Sequence, residues 1–252
     1  SLPAMAPLTL HVASSKVDAP SLLIPIVAKA AKKAHDNKTS FILAVSGGSV
    51  PKMVFTPALL SALSAFSLPT DEPSYWSSWI IILADERIVP ATHPDSNALL
   101  ISDTIASSSL PLTSSNYHYI SPSTTPTPPT IESMVADVSN IASRYSATLA
   151  SILPSGRNID LCLLGMGEDG HTCSLFPVNL PTDLAPPAPT SADLISFVTN
   201  SPKNPPTRIT LTFHALNERS AACVFAACGA GKNEVLREVF SFEGAGEGGI
   251  ES

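Results

Sequence analysis

His171 stands beside two carboxylates among three glycines in NIDLCLLGMGEDGHTCSLFP, residues 158–177. The stretch opens with Ile159, Leu161, Cys162, Leu163 and Leu164, an apolar run suited to a strand buried on both faces. It then turns through Gly165, Gly167 and Gly170, and the turn carries Glu168, Asp169 and His171. Glycine permits both a tight bend and a close approach to a ligand. An imidazole next to a carboxylate at a strand end has the parts of a general base. The ring takes a proton, and the acid holds its tautomer and stabilises its cation. The competing reading is a Gly-rich turn with solvated charges.

Two more apolar runs end in chemically loaded turns. Phe41–Val45 leads into Ser46, Gly47, Gly48, Ser49, Val50 and Pro51 at the expected start of a helix. Backbone N–H groups there suit an anion; a plain strand–helix turn is the competing reading. Trp79–Ala84 (WIIILA) ends in Asp85, Glu86 and Arg87. Lys203 and Arg208 lie in SPKNPPTR, a loop stiffened by its prolines. Arg suits bidentate phosphate binding and Lys a point-charge contact. A salt bridge from Arg87 to Asp85 or Glu86, and from Arg208 to some carboxylate, stays open.

Other motifs point nowhere. SGGSVP is no Walker A loop, and GAGK at 229–232 lacks the leading Gly and the final Ser/Thr, so Lys232 reads as a solvated charge. GMGEDG matches G-x-G-x-x-G, but HTCSLFP ends in proline instead of opening a clear helix, which argues against a nicotinamide site. The G-x-S-x-G elbow of a nucleophilic serine is absent. His11, His35, His93, His118 and His214 have no comparable setting and read as structural or exposed.

The elements that must position these turns alternate. Leu8–Val12 reads as a first strand, and 21–37 as a helix with Pro25 near its start. The pattern from Pro51 to Leu63 reads as one helix, Asp95–Ile105 as a helix capped by Asp95, and Ile131–Leu153 as another. Strands at Leu194–Thr199, Arg208–Phe213 and Ala221–Ala227 precede a helix from Gly231 to Phe240. Pro-rich surface loops are expected at 121–130 and 178–190, and a flexible tail over 243–252. The pattern predicts a mostly parallel α/β sheet covered by helices on both faces, in one domain spanning 5–252. Met5 is read as the native start, with 1–4 preceding it. Parallel strands would bring all three turns to one sheet edge, where ligands of such folds bind.

Composition narrows the function. Of 252 residues, 44% are hydrophobic, enough for a sizeable core, and the net charge of −7 with 14 Lys plus Arg excludes a generic nucleic-acid binder. No apolar run reaches the roughly 20 residues that span a bilayer, no polybasic run suits a membrane surface, and the N-terminus does not read as a signal peptide. Cys162, Cys173, Cys223 and Cys228 read as reduced thiols, and the chain as cytoplasmic.

At this point SGGSVPKM, LADERIVPATHPDSNALLI, LLGMGEDGHTCSLFP, SPKNPPTRITLT and GAGKNEVLREVF, in that order, resemble the 6-phosphogluconolactonases of the pentose phosphate pathway. The resemblance covers about Phe41 to Phe240. It implies a Rossmann-like three-layer α/β/α fold shared with glucosamine-6-phosphate deaminases and ribose-5-phosphate isomerases. It implies His171 as the catalytic residue with Asp169 and Glu168 beside it, and Arg87 and Lys203 on a phosphate. Ser46, Gly47, Gly48 and Ser49 would cradle a sugar phosphate, and Asp85 and Arg208 match motif positions. A small phosphorylated lactone is the implied substrate, with no metal or organic cofactor, in a monomer or weak homo-oligomer. Two departures stand out: Cys173 replaces a common Ala, and EGAGEGGIES follows the last helix where relatives continue to a Trp-containing strand. A deaminase pattern would place Tyr at Arg87 and Asn-Glu-Pro at Leu175, Phe176 and Pro177. A non-catalytic sugar-phosphate sensor is the rival from another class.

Overall fold

Phe41–Val45 (β1) forms the centre of the molecule, with all five residues buried, as only a strand covered on both faces can be. The structure is a computed structural model, and it describes residues 8–119, 130–177 and 193–240. Trp79–Leu83 (β2) pairs in parallel with one edge of β1, in register Ala44 to Ile82. On the other edge runs Leu161–Gly165 (β5), parallel, with Ala44 opposite Cys162. Tyr117–His118 (β4) lies outside β2 and Cys223–Ala226 (β8) outside β5, both parallel, giving the order β4-β2-β1-β5-β8. The chain leaves β1 for β2 on one side and reaches β5 on the other. That reversal opens a crevice at the carboxyl ends of the central strands.

The second sheet was not anticipated. Asp85–Arg87 (β3) is itself a strand, antiparallel to Arg208–Leu211 (β7), which pairs in turn with Ile195–Val198 (β6). Ala84 joins the two sheets. Its N–H donates to Val45 C=O at 3.0 Å, and its C=O accepts from Leu211 N–H at 2.8 Å. The DER turn is thereby fixed as a ladder instead of a loop.

Helices cover the sheets, and their ends follow from local chemistry. Ala19–Asp36 (α1) starts earlier than the apolar spacing suggested and carries Pro25 inside it, on the exposed face. The missing N–H there leaves only the solvent-side Ser21 carbonyl without an intrahelical donor. The single helix expected after Pro51 is two, Val50–Val54 (α2) and Pro57–Ala65 (α3). Thr56 precedes Pro57 and is pushed to φ −137°, ψ 163°, which breaks the helix. Pro73–Ser77 (α4) leads into β2. Asn97–Ala106 (α5) is capped by Ser96, not Asp95: Ser96 Oγ accepts from Leu99 N–H at 3.2 Å. Ile131–Ala136 (α6) and Val138–Ile152 (α7) divide at Asp137, Phe213–Glu218 (α8) follows β7, and Asn233–Phe240 (α9) follows a 3-10 turn at Ala230–Lys232. Leu8–Val12 forms no strand; Leu8 and Leu10 are exposed and have no partner strand.

Buried apolar side chains from α1, α3, α5, α7 and the parallel strands form one core cluster. The expected loops over 121–129 and 178–190, the tail over 243–252 and the start at Met5 lie outside the described residues. All four cysteines are free thiols. Among the described residues, no helix is long and apolar enough to cross a membrane.

Candidate active site

The three loaded turns meet, and a chain of side chains ties them together. Asn97, buried at the start of α5, donates from Nδ2 to Asp85 C=O at 2.9 Å. Its amide lies so close to Gly47 that a Cβ there would overlap Asn97 Oδ1. Asp85 Oδ2 accepts from Ser174 Oγ at 2.9 Å, and Ser174 N–H donates to Thr210 Oγ1 at 3.1 Å. The SGGS turn, the DER strand and the segment after His171 are therefore locked into one wall. Sequence reading missed Asn97 and Ser174, because a buried polar residue inside a matched motif has no signature of its own.

Strand alternation sorts the DER residues. Asp85 and Arg87 point to one face and Glu86 to the other. Glu86 is buried, and its carboxylate accepts from the N–H groups of Asn97 (2.7 Å), Ala98 (2.8 Å) and Arg87 (2.7 Å) and from Ser96 Oγ (3.1 Å). It occupies the positive end of α5 as a second cap. Glu86→Ala should lower unfolding free energy by about 2–3 kcal/mol, measured by urea denaturation; an unchanged midpoint would refute the capping role.

On the site face, Arg87 and Arg208 are register partners across β3 and β7. Like charges directly opposed on antiparallel strands repel. Arg208 pKa is depressed, first by burial and next by the Arg87 charge. Neither Arg forms an ion pair with a carboxylate among the described residues. Arg87 donates from Nη1 to Asp95 C=O at 3.0 Å, and its buried Nε finds no acceptor among those residues. Arg208, 2% exposed, spends its fork on three carbonyls: Pro205 (2.9 Å), Lys203 (2.9 Å) and Asn204 (3.2 Å). It holds the loop that carries Lys203.

Gly167 lies beneath the His171 turn, where a Cβ would collide with both His171 Nδ1 and Asp169 Oδ1. Gly170, at φ +79°, makes the bend with backbone that L-residues avoid. The consequence is a tight pair: His171 Nδ1 lies 2.5 Å from Asp169 Oδ1. The same carboxylate oxygen is 3.7 Å from Lys203 Nζ. His171 is half-buried, with its ring 4.4 Å from the Phe176 ring.

Burial lowers the His171 pKa; Asp169 opposes that shift, and Lys203 adds to it. Burial, the largest single influence, would raise Asp169, but the His171 hydrogen bond, that ring's charge and backbone N–H donors together outweigh it and hold the carboxyl below the ordinary value. The pair therefore sits as neutral imidazole and ionised carboxylate near neutrality. Asp85 is raised, first by burial, against the pull of Ser174 and the Arg87, Arg208 and His171 charges.

The remaining expected site residues sit at the margins. The Glu168 carboxylate packs against Gly231 of the 3-10 turn, where a Cβ would clash with Oε1. Ser46 is buried beneath its turn, while Gly48 (φ +73°) and Ser49 are exposed at the rim. Only five residues long, α2 offers little dipole to an anion. Among the described residues, no group of three or more His, Cys, Asp or Glu side chains is arranged to hold a metal ion.

Fold and site together define an α/β protein with an imidazole–carboxylate pair and a cationic wall at the sheet's carboxyl edge, a setting for small anionic ligands. The chain is similar to 6-phosphogluconolactonase 3 of Saccharomyces cerevisiae, 33% identical over 239 residues covering 93% of this chain and 86% of the yeast protein. Rat 6-phosphogluconolactonase (Rattus norvegicus) is 32% identical over 240 residues, covering 94% of this chain and 83% of its own. The crystal structure of 6-phosphogluconolactonase from Leishmania guyanensis superposes with a TM-score of 0.69 at 25% identity, over 94% of this chain and 88% of that one. The chain belongs to the glucosamine-6-phosphate isomerase/6-phosphogluconolactonase family, whose model matches residues 19–248.

Proposed function

We propose that this protein hydrolyses 6-phospho-D-glucono-1,5-lactone to 6-phospho-D-gluconate, with His171 activating water. The observation that carries the reading is the shared carboxylate: Asp169 Oδ1 holds His171 Nδ1 and lies within reach of the Lys203 ammonium. An ionised Asp169 can only accept, so Nδ1 carries the hydrogen and Nε2 is left to take a proton from water. Water attacks C1 as that proton moves to Nε2, and the tetrahedral intermediate forms. The imidazolium then returns the proton to the ring oxygen as the C1–O5 bond breaks, opening the lactone to the acid. A lactone is an activated ester, so no covalent enzyme intermediate is required.

Phosphate at the far end of the substrate meets Lys203 and Arg87. Two opposed arginines with no carboxylate partner among the described residues are relieved by a dianion. Holding the phosphate fixes C1 against the base and turns attack into an effectively unimolecular step. The exposed rim of the Ser46–Ser49 turn and the Asp85 side border the sugar ring. Glu168 supports the 230–232 turn and takes no proton. No step calls for a metal or an organic cofactor.

Proton release from fresh phosphorylated lactone, corrected for spontaneous opening, tests the reading. Turnover well above the enzyme-free rate is expected. Ammonia release from glucosamine 6-phosphate would instead make it a deaminase, and binding of 6-phosphogluconate without turnover would make it a sensor.

A further inference from the structure

Phe176 has no place in the proton transfer, yet it touches both halves of the site. Its ring is fully buried. The His171 ring lies 4.4 Å from it, centroid to centroid, inclined by 30°. The Arg208 guanidinium carbon lies 5.4 Å from the same centroid, within cation–π range. Arg208 in turn grips the carbonyls of Lys203, Asn204 and Pro205. One aromatic ring thus braces the imidazole that activates water and the guanidinium that fixes the Lys203 loop.

We propose that Phe176 is a positioning residue that couples the orientation of the His171 base to the placement of the Lys203 phosphate contact. The inference rests on the lactonase reading above. A planar ring suits this task because its faces and edge set the tilt of an imidazole and accept a guanidinium. An aliphatic side chain of equal volume fills the space and fixes neither.

Phe176→Met preserves volume and removes the ring, and such swaps seldom disrupt a fold. Phe176→Tyr keeps the ring and serves as the conservative rescue. For Phe176→Met, kcat on the phosphorylated lactone should fall roughly tenfold, because slight misplacement of a reacting group is costly. KM for the phosphorylated lactone should rise roughly threefold and KM for unphosphorylated gluconolactone should hold, the split expected when phosphate binding alone is loosened. A third readout needs no substrate: the His171 imidazole titration followed by 15N NMR. The charged groups facing that ring are Asp169 on its own turn, Lys203 on its loop and Asp85 on β3. None is altered by the substitution, so a displaced midpoint would report a changed orientation of the ring against Asp169 and Lys203 and not a lost charge.

Changes in all three readouts in Phe176→Met, with recovery in Phe176→Tyr, support the proposal. If Phe176→Met loses thermal stability alone, with kcat, both KM values and the titration unchanged, Phe176 is core packing and the proposal is overturned. Absence of turnover by the unaltered protein would sink the lactonase reading instead. The NMR titration would still report whether Phe176 orders the imidazole.

Discussion

His171→Ala should lose roughly 10²–10⁴-fold in kcat after subtraction of spontaneous lactone opening, with KM little changed. The substitution removes the imidazole paired with Asp169 while leaving Asp169 and Lys203 joined across 3.7 Å. Binding is therefore retained, and the loss falls on the chemical step. His171 is half-buried against Phe176, so the variant needs a thermal melt beside the assay to show that its fold persists. Full kcat in a folded variant would remove the imidazole from the mechanism.

Lys203→Ala should raise KM for the phosphorylated lactone roughly tenfold, the effect of losing one charge-assisted contact. The unphosphorylated lactone is the control, since it has no group for the ammonium to meet. Lys203 is nearly half exposed, so its contact is screened by salt and the penalty should shrink at high ionic strength. A second effect follows from geometry. Lys203 faces the His171–Asp169 pair and lowers the His171 pKa, so its removal should move the acidic limb of the rate profile upward. Equal KM changes for both lactones would show that Lys203 supports the loop and not the phosphate.

The central strands and the meeting of the three turns were legible because β1, β2 and β5 are continuous apolar runs ending in Gly or charged residues. The His171–Asp169 pair was legible for the same reason: adjacent chemistry in a Gly-rich turn stands out. What the sequence hid is short or tertiary. The three residues of β3 are too few for alternation to register, so the second sheet and the opposition of Arg87 to Arg208 could not be read. Asp95 and Ser96 are both good caps, and the neighbouring Glu86 decides where α5 begins. Arg208 read equally as an anion ligand or a carboxylate partner, because nothing local announces that it turns back onto the carbonyls of its own loop. Phe176 carries no signature of its own, and the two side chains it touches, His171 and Arg208, lie 37 residues apart in the chain.

The pH dependence of kcat/KM on fresh phosphorylated lactone tests the account most directly. The proposed water activation requires neutral His171, and burial holds its pKa below the ordinary histidine value. The rate should therefore rise with pH through one ionisation whose midpoint lies under about 6.5, level off by neutrality, and lose that limb in His171→Ala. A profile indistinguishable from the enzyme-free reaction, or a limb that survives intact in His171→Ala, would contradict it.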